Sequence, residues 1–317
     1  MVVSQRKYDI LLATYNGATF VEAQLRSLLA QSQDGFRILA RDDSSSDGTL
    51  TILEAVAEAN QSRFRIIKDG KGRLGACGNF GALLALADAP YVMFCDQDDI
   101  WVSDKIDRFL GKMQEEEAVA GLRTPVLVHS DLKVVDEDTK EIAPSFWKYQ
   151  NLEPEKGKAF NRLLVQNVVT GCATMVNRAL VQKALPIPGE AIMHDWWLAL
   201  VAAAFGRIGH LPEATVLYRQ HGRNELGAKQ WNAGYVIRKA MRLFDREELS
   251  KSLGATQRQA AAFAQRFGDD LAPGQRAAAE AYASLAKRGF LERRIMLWRY
   301  GLFKNGLIRN LGLFARI

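Results

Sequence analysis

The chain has 317 residues, of which 48% are hydrophobic and 25% are charged, and its formal net charge is +6. That composition is typical of a globular protein with a full apolar core, and it excludes a disordered or fibrous chain. The three cysteines, Cys77, Cys95 and Cys172, have no CxxC spacing, so they provide neither a disulfide framework nor a cysteine-based zinc site.

The N-terminal residues carry no long apolar run of the kind found in a signal peptide. The longest apolar stretch covers residues 196–205, which is too short for a bilayer-spanning helix of about 20 residues. We therefore expect a cytoplasmic protein, either free or bound peripherally to the inner face of the cell membrane.

The first half of the chain alternates between apolar runs and amphipathic segments. The apolar runs predict β-strands at residues 9–13, 36–40, 64–68, 91–95 and 126–129. The segments between them predict helices at residues 21–31, 50–59, 79–87 and 104–114. A capping box formed by Thr19 and Glu22 is expected to begin the first helix. Strand–helix alternation of this length predicts an α/β fold with a mostly parallel sheet flanked by helices.

The second half of the chain is less regular. Residues 144–158 are polar and aromatic and predict a loop. Beyond them the pattern predicts a strand at residues 173–176 and helices at residues 160–166, 178–184 and 195–205. After residue 231 the pattern is helical throughout, so we place a domain boundary between residues 1–227 and a helical, basic region at residues 228–317.

The strongest chemical signal is the segment Phe94-Cys-Asp-Gln-Asp-Asp-Ile-Trp101, in which an apolar strand runs directly into Asp96, Asp98 and Asp99. Carboxylates at the carboxyl end of a parallel strand face the crevice where open α/β sheets bind ligands. Clustered like charges repel one another unless a cation or solvent relieves them. Mg2+ or Mn2+ suits oxygen ligands and bridges to phosphate oxygens. The alternative is an acidic helix N-terminus, but three acids exceed what capping requires.

Two more polar segments follow predicted strands. Arg41-Asp-Asp-Ser-Ser-Ser-Asp-Gly-Thr49 places Asp42 and Asp43 where a base or a ribose could be hydrogen-bonded, whereas Asp47 fits a helix cap. Ala13-Thr-Tyr-Asn-Gly17 follows the first strand, so its backbone could meet a nucleotide with Tyr15 beside the base.

The order of these segments, together with Gly75-Ala-Cys-Gly-Asn-Phe-Gly81, resembles the family 2 glycosyltransferases with the GT-A fold. The likeness covers residues 1–225 and is most specific between Tyr8 and Asp107. It implies a metal-dependent enzyme that moves a sugar from a nucleoside diphosphate to a glycan or lipid-linked acceptor. The resemblance also implies inversion at the anomeric carbon.

The resemblance assigns roles to individual residues, because the DQDD segment stands where the family carries its DxD metal motif. The residues that would bind the nucleotide are Ala13, Thr14, Tyr15, Asn16, Asp43, Asn79, Asp96, Arg219 and Arg223. The residues that would bind Mg2+ or Mn2+ are Asp96, Asp98 and His221.

The segment Tyr218-Arg-Gln-His-Gly-Arg-Asn224 resembles a late loop of bacterial rhamnosyltransferase-like members of the family. This likeness favours dTDP-rhamnose as the donor, with UDP-sugars as the alternative. The implied role is the assembly of a bacterial surface polysaccharide.

The segment Met193-His-Asp-Trp-Trp197 resembles the family's acidic base motif, with His194 in place of its first acid. Asp195 is therefore the candidate general base, and the neighbouring tryptophans could exclude water and raise its pKa. Asp195 could instead cap the helix that follows it. Glu190 is the second candidate for the base.

Two rival functions come from other classes of protein. Gly70-Lys-Gly-Arg-Leu-Gly75 fits the GxGxxG pattern of a nicotinamide dehydrogenase, but it follows the third strand rather than the first, and its Lys71 and Arg73 add bulk where close backbone approach is required. A non-catalytic, membrane-bound scaffold that keeps the nucleotide pocket would use the same segments without transferring sugar.

From residue 287 to the C-terminus there are eight Lys or Arg residues and one acid, Glu292, interleaved with Leu, Ile, Trp and Phe. This composition is typical of a helix that lies in the interface of an anionic membrane. The alternative is a helix packed on the catalytic domain with a solvated basic face. Nucleic acid is not the expected partner, because no base-reading fold accompanies the charge.

Overall fold

The structure is a computed structural model that describes residues 7–222 and 246–317. Its strands are β1 (Tyr8–Thr14), β2 (Phe36–Asp42), β3 (Phe64–Ile66), β4 (Tyr91–Cys95), β5 (Ile100–Trp101), β6 (Val126–Val135), β7 (Glu141–Ala143), β8 (Thr174–Asn177) and β9 (Arg207–Arg219). Its helices are α1 (Val21–Leu29), α2 (Thr49–Ala59), α3 (Gly75–Leu86), α4 (Lys105–Ala120), α5 (Phe146–Gln150), α6 (Pro154–Gly157), α7 (Phe160–Leu163), α8 (Arg178–Ala184), α9 (His194–Phe205), α10 (Arg246–Phe267), α11 (Pro273–Ala283), α12 (Phe290–Arg299) and α13 (Leu307–Arg316).

The strands form one sheet in the order β3-β2-β1-β4-β8-β6-β9-β5, and β7 pairs with β6. The pairs β1–β2, β1–β4, β2–β3 and β6–β9 are parallel, while β8, β5 and β7 run antiparallel to their neighbours. This arrangement confirms the predicted α/β fold with a mostly parallel sheet.

The chain reverses its direction of progress across the sheet at β1. It builds β2 and β3 on one side of β1 and then returns to place β4 on the other side. In open α/β sheets, ligands usually bind in the crevice outside the carboxyl ends of the two strands between which the strand order reverses. The segments that follow β1 and β4 therefore meet at one edge of the sheet.

Apolar side chains of β1 alternate between two cores. Tyr8, Ile10 and Leu12 belong to the core on one face, which also contains Val21 of α1. Leu11 belongs to the core on the other face, where α3, α9 and the C-terminal helices pack. This period of two explains why a continuous apolar run forms a strand that is buried on both faces.

The structure corrects two local predictions. The first helix begins after Phe20, which makes no side-chain capping bond, so the predicted Thr19–Glu22 capping box does not form. Residues 144–158 are not a simple loop, because they contain the short helices α5 and α6, and the hydroxyl of Ser145 accepts the amide of Lys148 to cap the first of them. Single-turn helices are too short to show a 3.6-residue period.

The predicted domain boundary at residues 227 and 228 lies outside the described residues. In the described ranges, the C-terminal helices share a core with α9. Phe263 of α10 packs on Trp197 of α9 and on Phe160, with ring centroids 5.3 Å and 5.5 Å apart. Leu297 and Leu313 belong to the same buried cluster.

A buried carboxylate joins β1 and β4 at the amino ends of both strands. Asp9 of β1 is fully buried and accepts two hydrogen bonds from Arg37, at 2.9 Å and 3.1 Å. It also accepts the amides of Asp88 and Ala89, which lead into β4. These contacts fix β4 beside β1.

We predict that Asp9→Asn lowers the free energy of unfolding by about 3 kcal/mol, because breaking a buried ion pair leaves an uncompensated charge. The matched control is Asp88→Asn, since Asp88 pairs with the same Arg37 but is 64% exposed. An exposed pair contributes less than about 1 kcal/mol. Urea unfolding curves check both values, and equal losses for the two variants would contradict the prediction.

Candidate active site

The loop after β1 is bonded to the acidic segment after β4. The amide of Tyr15 donates to Oε1 of Gln97 at 2.8 Å, and Nε2 of Gln97 donates back to the carbonyl of Tyr15 at 2.9 Å. Because Leu12 and Cys95 are in register across the two strands, the chain reaches this contact within a few residues of each strand end. The two segments therefore form one wall of the crevice.

The three carboxylates of the acidic segment lie in different surroundings. Asp96 and Asp98 are partly exposed, whereas Asp99 is fully buried. Oδ1 of Asp99 accepts the amide of Arg219 at 3.1 Å, and its Oδ2 meets no N–H or O–H donor among the described residues. Burial, and next the charges of Asp98 and Asp96, raise the pKa of Asp99 well above its ordinary value. A cation bound near this segment would relieve the repulsion among the three carboxylates.

Two sets of potential metal ligands lie in this segment. Ligand atoms of Asp96, Asp99 and Cys172 all lie within 4.8 Å of one another. On the other side, Oδ2 of Asp98 lies 2.8 Å from Nε2 of His221. Carboxylate oxygens suit Mg2+ or Mn2+, and an imidazole nitrogen is also acceptable to Mn2+, so the residues fit such an ion.

The end of β9 supplies Arg219 and His221. Nε of Arg219 donates to the carbonyl of Asp98 at 2.8 Å, and its guanidinium lies 4.9 Å from the ring centroid of Phe20. The ring of His221 stacks on the same Phe20, with centroids 4.7 Å apart. Arg219 thus fixes the backbone of the acidic segment while His221 reaches its carboxylate.

Asp43 takes part in a buried network with Arg41. The carboxylate of Asp43 accepts Nη1 of Arg41 at 2.8 Å and the amides of Leu74 and Gly75 at 2.7 Å and 2.8 Å. The buried side chain of Asn79 makes two hydrogen bonds to the same arginine. Its Oδ1 accepts from Nη1 of Arg41, and its Nδ2 donates to the carbonyl of Arg41. A dinucleotide would need those helix N-terminal amides for its pyrophosphate. Asp43 already occupies them, which argues against the GxGxxG interpretation.

The remaining predicted nucleotide residues line the loop after β1. Thr14 donates to Asp42 at 2.9 Å, and the amide of Asn16 donates to the hydroxyl of Ser45 at 2.8 Å. The ring of Tyr15 is 37% exposed and lies 4.1 Å below the guanidinium of Arg73. Ala13 packs partly buried against the core. Arg223 lies outside the described residues.

Asp195 lies in the first turn of α9 with 8% of its surface exposed. Its Oδ1 accepts the amide of Trp196 at 2.6 Å, and the amide of Gly171 also bonds to the carboxylate. Burial raises the pKa of Asp195 to about 7, against the opposing effect of these backbone bonds. A carboxyl group with this pKa can take up and release a proton near neutral pH. Glu190, the second candidate, is exposed.

One turn joins Asp195 to the acidic segment. Residues Gly171–Ala173 form a 3-10 turn in which Gly171 faces Asp195 and Cys172 faces Asp99 and Asp96. A Cβ on Gly171 would lie 2.9 Å from Nε2 of His194, so only glycine fits there. His194 itself is buried between Phe80 and Phe94, and its ring centroid lies 4.1 Å and 4.7 Å from theirs. Burial lowers the pKa of His194 to about 3. His194 is therefore neutral, and it packs against Gly171 of this turn.

A family model described as glycosyl transferase family 2 matches residues 9–185, which is more than half of the chain. The chain belongs to glycosyl transferase family 2. The GxGxxG segment is therefore part of a glycosyltransferase, and the dehydrogenase interpretation is wrong.

Individual similar proteins add detail. The dTDP-rhamnosyl transferase RfbG of Shigella flexneri is 28% identical over 228 residues, covering 68% of this chain and 74% of that protein. The UDP-Glc:alpha-D-GlcNAc-diphosphoundecaprenol beta-1,3-glucosyltransferase WfaP of Escherichia coli is 33% identical over 108 residues, covering 34% of this chain and 41% of its own. The mannosyltransferase PcManGT of Pyrobaculum calidifontis, solved with GDP-Man and Mn2+, aligns with a TM-score of 0.54 and 17% identity, covering 99% of this chain and 79% of that one. This last likeness supports the GT-A fold.

Sequence reasoning missed three groups around the site of this glycosyltransferase. These are Gln97, which bonds to the Tyr15 backbone, Cys172, which faces the acidic segment, and Lys105. Lys105 is fully buried 3.5 Å from the ring centroid of Trp101, and its Nζ donates to the carbonyl of Cys172 at 2.5 Å. Burial lowers the pKa of Lys105 to about 8. A lysine six residues after Asp99 was a visible signal, but a solvated surface pair would give the same pattern.

We predict that Asp195→Asn raises the free energy of unfolding relative to the parent protein, and that this gain is larger at pH 8 than at pH 5. The carboxyl pKa is about 7 in the folded chain and 3.8 in its ordinary state, so the folded state favours the protonated form. The associated stability is present below pH 4 and is lost as the pH rises through 7. At about 1.4 kcal/mol for each pH unit between the two values, the ionised carboxylate costs up to about 4 kcal/mol.

Urea unfolding at the two pH values measures this difference, with Glu190→Gln as the exposed control. If the Asp195→Asn variant differed from the parent by the same amount at both pH values, the raised pKa would be wrong.

Proposed function

We propose that this family 2 glycosyltransferase is an inverting, metal-dependent enzyme that transfers rhamnose from dTDP-rhamnose to a glycan or lipid-linked acceptor. The observation that carries this proposal is the Gly171–Cys172 turn, which places a buried carboxyl of pKa about 7 beside the acidic segment. A proton acceptor and a group of carboxylates at one edge of the sheet match the two requirements of sugar transfer from a diphosphate. In this scheme residues 1–227 form the catalytic domain and residues 228–317 an accessory helical region.

In this proposal the loop after β1 binds the nucleoside. The exposed ring of Tyr15, with Arg73 above it, provides a face for the base, and the backbone of Ala13, Thr14 and Asn16 lies beside it. Asp43 and Asn79 contribute to the nucleoside pocket by holding Arg41 and the start of α3. Arg219 and Arg223 act on the diphosphate side.

We assign the metal to Asp96, Asp98 and His221. The contact between Asp98 and His221 supports this assignment, because it joins side chains that are 123 residues apart in the sequence. Mn2+ in the related mannosyltransferase structure supports the choice of ion. When bound, Mg2+ or Mn2+ neutralises charge that develops on the leaving diphosphate.

Asp195 acts as the general base. Its carboxylate takes the proton of the acceptor hydroxyl while that oxygen forms a bond to the anomeric carbon and the bond from this carbon to the diphosphate oxygen breaks. This single displacement inverts the configuration and releases the nucleoside diphosphate. Only 8% of the surface of Asp195 is exposed, which limits access of water to the carboxylate.

The relatives and the late loop support the proposed donor and acceptor. RfbG, by its name a dTDP-rhamnosyl transferase, supports dTDP-rhamnose. WfaP, by its name, uses UDP-Glc and a diphosphoundecaprenol-linked sugar, which makes UDP-sugars the alternative donor and supports a lipid-linked acceptor. The role is the assembly of a bacterial surface polysaccharide by an enzyme at the inner face of the cell membrane.

Titration calorimetry tests the donor and the metal together. We expect dTDP-rhamnose to bind in the presence of Mn2+, and its affinity to fall at least about tenfold in EDTA or in the Asp98→Asn variant. The matched control is Asp104→Asn, which removes an exposed carboxylate a few residues away. Tight binding of a UDP-hexose without binding of dTDP-rhamnose would disprove the donor, and equal affinity in EDTA would disprove the metal role.

We expect Asp195→Asn to lower the transfer rate by about 100-fold or more, which is the range for loss of a general base. Donor affinity should stay unchanged, since the base acts on the acceptor. In the parent enzyme kcat/KM for the acceptor should fall about tenfold for each pH unit below 7, because only the ionised carboxylate accepts a proton.

A radiolabelled transfer assay across pH measures these quantities, and Glu190→Gln serves as the control. Normal turnover in Asp195→Asn would reduce Asp195 to a helix-capping residue and move the base to Glu190. Nucleotide binding without transfer from any donor would favour the scaffold function.

A further inference from the structure

The two last helices, α12 and α13, expose an unusual set of large apolar side chains. We call this set the tail surface. It consists of Phe290, Leu291, Ile295, Trp298, Leu307, Ile308 and Leu311, which are between 50% and 76% exposed. Large exposed apolar patches of this kind mark interaction sites.

Each helix already uses another face to complete the fold. In α12, Leu291, Ile295 and Trp298 follow the i, i+4, i+7 spacing of one helix face, while Leu297 is fully buried. In α13, Leu313 and the following Ile317 are buried, while Leu307 and Leu311 point outward. The core therefore does not account for the outer apolar side chains.

The charges of this region select the partner. Residues 287–317 contain eight Lys or Arg and one acid, and Lys287, Arg288 and Arg299 are exposed. A second copy of the same surface would bring two strongly basic segments together, which is unfavourable. An anionic lipid surface matches both properties, because it accepts apolar side chains below the headgroups and cations at the phosphates.

The helices are held firmly on the catalytic domain. Asn305 is buried, and its side-chain Oδ1 accepts the backbone amide of Glu153 at 3.2 Å. The backbone amide of Asn305 donates to Oε1 of Gln166 at 2.8 Å. Nδ2 of Asn161 donates to the carbonyls of Tyr300 and Gly301 at 3.0 Å and 2.9 Å. These bonds join the connection between α12 and α13 to residues 153–166, so the tail surface is a rigid part of the protein.

The same segment touches the helix of the candidate base. Nε1 of Trp196, the residue after Asp195, donates to the carbonyl of Leu163 at 2.5 Å. A continuous set of contacts therefore runs from the tail surface through α7 to the start of α9. Binding through the tail surface would fix the orientation of the base relative to the bilayer.

We propose that the tail surface docks this enzyme on an anionic lipid bilayer, with its apolar side chains in the headgroup boundary. No helix in the described ranges has the length and apolar character needed to cross a bilayer, and this mode of attachment needs none. Docking would hold the site at the surface where a lipid-linked substrate lies. That last consequence rests on the proposed function, whereas the docking itself does not.

Co-sedimentation of the full chain with vesicles tests the proposal. The vesicles contain phosphatidylcholine alone or phosphatidylcholine mixed with phosphatidylglycerol. We expect the protein to bind the mixed vesicles, and the double variant Trp298→Glu, Leu307→Glu to lower its partition coefficient about tenfold or more. Deleting residues 287–317 is a poorer test, because the buried Leu297 and Leu313 would be lost from the core.

The matched control is the double variant Val119→Glu, Leu122→Glu. These side chains are 72% and 75% exposed, at the end of α4 and just after it, so the change in charge and exposure is the same. The control should bind vesicles like the parent, and both variants should keep the parent's affinity for the nucleotide donor and its melting temperature.

Equal loss of vesicle binding in both double variants, or no binding by the parent, would overturn the proposal. So would a parent that is a dimer by light scattering and that Trp298→Glu, Leu307→Glu converts to a monomer, because a second copy would then cover the surface. Donor affinity is measured separately, so failure of the docking proposal and failure of the proposed function give different results.

Discussion

Crowding of three carboxylates at the end of β4 is the constraint around which the site is built. Asp99 is buried, and one of its oxygens meets no N–H or O–H donor in the described part of the chain. Its neighbours Asp96 and Asp98 add to the repulsion. The surrounding groups reduce this cost. Lys105 lies beneath the segment, the amide of Arg219 bonds to Asp99, and His221 pairs with Asp98. A divalent ion bound to this segment would reduce the repulsion among the carboxylates further.

The groups that reduce the repulsion among these carboxylates come from parts of the chain that are far apart in sequence. The end of β9 approaches the acidic segment because β5, just after that segment, pairs with β9 in an antiparallel ladder. The turn at Gly171–Ala173 enters from the other side, and its two adjacent residues face the candidate base and the carboxylates. A change in this turn would therefore disturb the surroundings of the candidate base and of the acidic segment together.

The C-terminal helices have two faces of different character. Their inner side chains complete the core that supports α9, as the contacts of Phe263 with Trp197 show. Their outer side chains are apolar and basic at once, which a helix that only completes a core does not require. One structural region in this way completes the core that supports α9 and leaves an apolar, basic surface exposed.

Local sequence determined much of this protein. The apolar runs predicted β1, β2 and β4, because a strand buried on both faces must be continuously apolar. The acidic segment could be recognised as a site because three acids follow such a strand directly. The strand β9 escaped prediction, since its buried and exposed residues follow no clean alternation and it pairs irregularly with β6.

Only the tertiary structure decided which distant groups meet. The pairing of Asp98 with His221, the use of the Asp43 carboxylate at the start of α3, and the approach of Cys172 to Asp99 depend on strand order and register. Burial of Asp195, which raises its pKa to about 7, likewise depends on the packing of α9. Sequence patterns record the periodicity of one element, whereas contacts and desolvation arise between elements, so the chemistry of the site could be located from the sequence but not its geometry.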